Sequence, residues 1–396
     1  MRGGARGAPP PIRMPYSGPG QHDIGSAEVN GVKLGVLDQV PIRQGGNAEQ
    51  ALAESFELAE AVDGWGFSRI WYAEHHNTGS LACTAPEVLI PHVAMRTKQI
   101  RVGSGGVMLP HYSSLKVAEQ FRLLETLYPG RIDLGIGRAP GSDGRTARAL
   151  AHGPGSLGLE HFPEQLGDIY GYLADDLPEA HPFHGIKAGP PRRGSEDSDE
   201  LQSDHQPVSS MPELWLLGSS TIGGAYAAAM GWAFSFAHFI SPDGGEEVMR
   251  NYHTQFKPSP MWEKPTASLG VSITCADSDD EAEELSWSRW ISRIRSNRGQ
   301  RGGIISPQEA RDFELSPQEE EYIEYLKTRS VHGTPGKVRD RLEELAKVYD
   351  VDEFIVLTIT FDFAARLRSY ELLAQEFGLI QQAAPPPELT VEQAAP

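Results

Sequence analysis

The sequence predicts an α/β fold, a single (β/α)8 TIM barrel with a long insertion between its fourth and fifth strands. Three observations carry that prediction. Short apolar runs alternate with segments of helical periodicity across nearly the whole chain. The runs are apolar almost throughout, as parallel strands buried on both faces are. Eight such units stand in one chain, and eight β/α units close as a barrel. The rival is an open doubly wound sheet binding a nicotinamide. It lacks its glycine fingerprint, because Asp38-Gln39-Val40-Pro41 follows the first strand.

The elements follow in order. Residues 32–38 form a short apolar strand. Residues 47–62 carry Leu52, Phe56, Ala59 and Val62 at helical spacing, with Asn47 as N-cap, Gln50 three positions on, and Gly64 and Gly66 as stops. Residues 70–73 are the second strand and 86–98 the second helix. Residues 100–109 are the third strand. Residues 114–128 place Val117, Phe121, Leu124 and Leu127 on one helical face, ended by Pro129-Gly130. The fourth strand is 131–137, with a helix around 159–175. The fifth is 214–217, before an alanine-rich helix through 225–230. Strands at 232–237 and 267–275 precede helices at 246–255 and 280–295. Thr334 caps a helix starting at Pro335 and running to 348. A last buried strand, 354–361, leads to a helix over 364–377. The barrel spans 29–382. Residues 1–28 and 383–396 read as disordered tails rich in Gly and Pro, and 185–212 as a long polar, mobile loop.

Composition narrows the function. The chain holds 54 acidic and 35 basic residues, a net charge of −19, which repels nucleic acid. No apolar run approaches the roughly 20 residues of a membrane span. No secretory signal is evident, so the expected location is the cytoplasm. The two cysteines, Cys83 and Cys275, form neither a disulfide framework nor a metal-ligand pattern and read as small buried residues.

A barrel works at the C-terminal ends of its strands. The residues there are Asp38, Glu74-His75-His76, Gly105-Gly106, Arg138, Gly218-Ser219-Ser220 and His238. An imidazole titrates near pH 6.5, so His75 and His76 suit acid–base work beside Glu74. Neighbours on an extended strand point apart, so the pair does not chelate one metal. Glycines inside a strand mark a bulge or a close approach, and Gly105-Gly106 permits either. The small residues from Gly218 through Ser219 and Ser220 to Gly223 open a helix. Its exposed N–H groups and dipole suit a phosphate, with Arg138 as countercharge, although no P-loop lysine follows. A plain capped turn is the alternative. Asp38 and His238 are assigned to the substrate pocket.

These residues resemble the bacterial luciferase-like flavin monooxygenases over roughly residues 33–377. The resemblance rests on the Trp71-to-His76 strand end, the strand Val102-to-Pro110, the run Arg131-Ile132-Asp133-Leu134-Gly135-Ile136-Gly137-Arg138-Ala139-Pro140-Gly141, and Leu214-to-Ser220. It implies a barrel that binds FMN, reduced by a separate flavin reductase, and uses it with O2 to oxygenate a small organic substrate. It implies a cis peptide at Gly105-Gly106 against the flavin ring, phosphate contacts from Arg138 and 219–223, a catalytic histidine at His75 with His76 beside it, and a homodimer. Two departures stand out. Gly137 replaces the luciferases' reactive cysteine, and Ser219 replaces an acidic residue, so the aldehyde substrate and light emission do not carry over. Two further readings are a deazaflavin-dependent hydride-transfer enzyme on the same barrel and a catalytically silent flavin-binding accessory protein.

Overall fold

The computed structural model describes residues 31–151, 159–191 and 211–380. The predicted tails, 1–28 and 383–396, and residues 192–210 of the predicted mobile loop lie outside the described residues.

The chain runs β1 (Lys33–Asp38), α1 (Ala48–Gly64), β2 (Arg69–Tyr72), α2 (Pro86–Arg96), β3 (Arg101–Met108), α3 (Ser114–Leu127), β4 (Ile132–Gly137), α4 (Gly144–Leu150), α5 (Phe162–Ala174), β5 (Glu213–Gly218) and α6 (Thr221–Met230). It continues with β6 (Ala233–Ala237), α7 (Gly245–Gln255), β7 (Ala267–Cys275), α8 (Asp279–Asn297), α9 (Pro307–Arg311), α10 (Pro317–Arg329), β8 (Val331–Gly333), α11 (Pro335–Tyr349), β9 (Glu353–Leu357) and α12 (Phe363–Glu376). Strands β1 to β7 pair in sequence, all parallel, and β9 closes the ring between β7 and β1. The fold is the predicted (β/α)8 barrel.

Local chemistry explains the boundaries. Asn47 Oδ1 accepts the Gln50 N–H at 2.8 Å, which starts α1. Thr334 and Pro335 start α11. Three features depart from the sequence prediction. A ninth strand, β8, pairs with β7 alone outside the barrel, and three residues are too few to make a periodic signal. The last barrel strand stops at Leu357 rather than 361. Thr358 leaves the ladder, its N–H donating to the Tyr370 hydroxyl and its Oγ1 to the Ile273 carbonyl. A second insertion, α9 and α10, lies between β7 and β9. Its helices begin with capping boxes at Ser306-Glu309 and Ser316-Glu319, each with proline in the first turn. That signal was legible in the sequence.

Two apolar layers hold the barrel. Outward residues such as Val36, Ile70, Leu134, Phe234 and Val356 pack beneath the helices. Inward residues Leu37, Trp71, Ala73, Trp215, Ile355 and Leu357 fill the barrel. At its N-terminal end a charged plug replaces them. Arg69 pairs with Asp133 at 2.6 Å and Glu353 at 2.8 Å, Arg101 pairs with Asp133 at 2.7 Å, and Trp71 Nε1 donates to Asp133 at 2.8 Å. The Arg69 guanidinium lies 4.6 Å from the Trp215 ring centre. These side chains close this end of the barrel. Cys83 and Cys275 are free and buried. Among the described residues no helix is long and apolar enough to cross a membrane.

Candidate active site

The C-terminal face brings together the ends of β2, β3, β4 and β5. The register pairs Tyr72 with Ser104, Met108 with Gly137, and Gly137 with Leu217. Arg138 and Gly218 therefore leave adjacent strands at one level.

Glu74 is fully buried and heavily bonded. Its Oε2 accepts the Met108 N–H at 2.9 Å, and its Oε1 accepts the Tyr112 hydroxyl at 2.7 Å and lies 2.7 Å from His76 Nε2. His75 is different. Its backbone N–H donates to the Cys83 carbonyl, but its Nδ1 is buried with no hydrogen-bond partner among the described residues. Burial lowers the His75 pKa below the ordinary 6.5, so the ring is neutral at pH 7. The triplet thus divides into a tethered Glu74–His76 pair and a neutral imidazole whose Nδ1 has no hydrogen-bond partner among the described residues.

The Gly105–Gly106 peptide is cis, and the β3–β4 register shifts across it. A Cβ on Gly105 would stand 2.6 Å from Leu37 Cδ1 and 2.8 Å from Trp71 Cβ. One on Gly106 would stand 2.7 Å from the Gly135 carbonyl oxygen. The barrel itself requires both glycines. A Cβ on Gly137, the position of the luciferase cysteine, would meet Met108 Sδ and Cε at 3.0 Å. The Met108 thioether would have to give way by a few tenths of an ångström to admit a side chain there.

The residues predicted to hold phosphate leave the adjacent strands β4 and β5. Ser220 is the N-cap of α6, in extended conformation, and its side chain makes no capping hydrogen bond. The first-turn N–H groups are left without a side-chain acceptor. Gly218 and Gly223 approach closely, a Cβ on Gly218 falling 4.0 Å from the Gly223 Cα. Ser219 lies between the strand end and the cap, half-buried. Arg138 is exposed, with no hydrogen bond or ion pair among the described residues. A guanidinium with no partner among the described residues, one strand away from an uncapped ten-residue helix, suits an anion.

The two residues assigned to the substrate pocket make their contacts among the outer helices. Asp38 is fully buried on the outer side of the barrel, where its carboxylate accepts from Arg366 Nη2 at 2.8 Å, Ser55 Oγ at 2.6 Å and the Val40 N–H at 2.7 Å. It is a structural ion pair joining β1 to α1 and α12. His238 packs edge-on to Tyr349 of α11, ring centres 5.6 Å apart. Burial, then the charges of Arg341 and Arg329, push its pKa down to about 4. It belongs to the helix layer.

Three contributors escaped the sequence reading. Tyr112 binds Glu74, as above. Arg301 reaches Asn77 Oδ1 at 2.6 Å and Asp143 Oδ2 at 3.1 Å. Ile304 exchanges backbone hydrogen bonds with Ile42 and Gln44 and joins the barrel's inner cluster. The segment after α8 thereby crosses the mouth and ties the loops that follow β1, β2 and β4. The doublet Gly302-Gly303 was its signal, since a Cβ on Gly303 would stand 2.6 Å from the Gln44 backbone nitrogen.

Comparison with known proteins places this geometry. Residues 32–350 match the family model described as luciferase-like monooxygenase. A luciferase-like monooxygenase of Escherichia coli strain K12 is 37% identical over 344 residues, 86% of this chain and 96% of that protein. The N-acetyl-S-alkylcysteine monooxygenase of Bacillus subtilis is 34% identical over 344 residues, 87% and 97% of the two chains. The crystal structure of apo-MsnO8 superposes with a TM-score of 0.74 at 36% identity, covering 88% of this chain and 98% of its own. The oxygenating constituent of 3,6-diketocamphane monooxygenase, solved with FMN, shares the fold with a TM-score of 0.62 at 19% identity, over 87% and 97% of the two chains. With its barrel, its strand-end histidines and its match over most of the sequence, the chain belongs to the luciferase-like monooxygenase family.

Proposed function

We propose that the protein is an FMN-dependent monooxygenase of the cytoplasm. It takes reduced FMN from a separate reductase and oxygenates a small organic molecule with O2. The observation that supports this reading is that Arg138, without a partner among the described residues, and the uncapped N-terminus of α6 follow neighbouring strand ends. Family membership supports it. Bound reduced FMN would supply the two electrons that split O2 between substrate and water.

The chain's own residues do the rest. Arg138, the Ser219 and Ser220 hydroxyls and the first-turn N–H groups through Gly223 hold the phosphate. The Gly105-Gly106 backbone, free of Cβ atoms, supports the ring. The neutral His75 accepts and returns a proton at Nδ1. Glu74 and His76 fix the strand end that carries it. The segment through Ile304 keeps water from the mouth.

Anaerobic titration with reduced FMN tests the proposal. Wild type is expected to bind, and Arg138→Ala to bind about tenfold or more weakly, the loss of one charge-assisted phosphate contact. No binding of reduced FMN by wild type would overturn the assignment.

We also propose a homodimer through α2 and α3. Val88 and Met95 on α2, and Leu123 and Leu127 on α3, are exposed apolar side chains. Met95→Glu with Leu123→Glu is expected to give a monomer in sedimentation velocity. A monomeric wild type would refute the interface.

A further inference from the structure

Tyr112 has no part in the roles assigned above, yet it holds the buried carboxylate beside the reacting site. Glu74 has no exposed surface. A buried carboxylate needs several donors to persist, and it finds three. They come from the end of β3 (Met108 N–H), the turn beyond it (Tyr112 hydroxyl), and the end of β2 (His76 Nε2). The carboxylate therefore ties together the strand ends that carry His75 and Gly105-Gly106.

Tyr112 is itself held in place. Its N–H donates to the Leu109 carbonyl at 2.9 Å. Its carbonyl accepts from Gln165 Nε2 on α5, also at 2.9 Å. Burial, then the Glu74 charge, raise its phenol far above the ordinary range, so the hydroxyl keeps its proton and donates. An ionised carboxylate only accepts, so His76 must offer a proton at Nε2. Both donors fall on the same oxygen, Oε1. The position of that oxygen is set by the tyrosine, because His76 hangs from the same strand end that Glu74 has to steady.

We propose that Tyr112 is a positioning residue: its hydroxyl locks the Glu74 carboxylate so that β2 and β3 are joined and His76 is held in its Nε2–H form, leaving His75 as the imidazole free to exchange a proton. The kinetic consequence rests on the flavin monooxygenase reading. The lock is a property of the protein alone.

Tyr112→Phe removes one hydroxyl and keeps the ring. Imidazole 15N spectra of the flavin-free protein at alkaline pH read the lock directly. Wild type is expected to show His76 as a single Nε2–H tautomer, and Tyr112→Phe a mixture of both. Glu74→Gln, as a second break in the same lock, should disturb the same signal. In the loaded protein, Tyr112→Phe should bind reduced FMN within about twofold, while oxidation of the bound flavin by O2 changes about tenfold through misplacement of the site. A His76 spectrum in Tyr112→Phe identical to wild type overturns the lock. A rate change that merely follows weakened flavin binding overturns the positioning role. If wild type fails to bind reduced FMN, the flavin reading falls, and the spectra still decide the lock.

Discussion

Asp133→Ala is expected to destabilise the barrel by about 3–5 kcal/mol, the cost of breaking a buried ion network by removing one partner. Asp133 is fully buried at the N-terminal end. It accepts from Arg69, Arg101 and Trp71. Without it the Arg101 head loses its buried carboxylate partner and the Trp71 N–H its acceptor. Arg69 keeps Glu353 at 2.8 Å and Glu213 at 3.4 Å. Asp133→Asn should cost less, because it restores an acceptor for Trp71 but no charge. Urea midpoints at pH 7 would measure both, and a loss below about 1 kcal/mol for the alanine variant would refute the account. The pH dependence has a definite sign. Burial raises the Asp133 carboxyl, but Arg101 and Arg69 outweigh it and hold the pKa below the ordinary 3.8. A depressed carboxyl stabilises fully above its unfolded value, and that stability is lost as pH falls through the lower folded value. Wild type should lose it in that acid range, and Asp133→Asn should not.

His75→Gln should slow oxygenation of an accepted substrate by about 10²–10⁴-fold, the usual contribution of a positioned acid–base group. Reduced FMN should still bind within about twofold, because the phosphate residues are untouched. The reasoning rests on Nδ1, which is buried with no hydrogen-bond partner among the described residues. Burial disfavours the charged ring, so the folded pKa lies below 6.5. A base must be neutral to accept a proton. The wild-type rate should therefore rise through a pKa below 6.5 and stay flat above it. The glutamine variant should lack that limb. A variant within about threefold of wild type would remove His75 from the chemistry. A rate that falls as pH rises through that range would make it the acid in the rate-limiting step.

Much of this was legible in the chain. Apolar runs without alternation mean strands buried on both faces, and eight of them with helices between can close only in a few ways. The strand-end triplet and the small-residue turn before α6 stood out because their residue types are costly or rare in those places. Face and partner were not legible. Val36, Leu37 and Asp38 carry no alternation, so nothing local says that Asp38 turns outward, and Arg366 stands 328 positions away. His238 follows its strand as His75 follows another, yet it meets Tyr349 and two arginines of the helix layer.

The sequence by itself determined the barrel and the family. Hydrophobic periodicity and glycine placement are local properties, and they add up along the chain. Only the tertiary structure decided which polar groups are engaged and which are free. It set Asp38 on Arg366 and Glu74 on Tyr112, and left His75 Nδ1 and Arg138 without a partner among the described residues. A buried charge takes whatever donors the fold brings within 3 Å, and those come from segments that no local pattern connects.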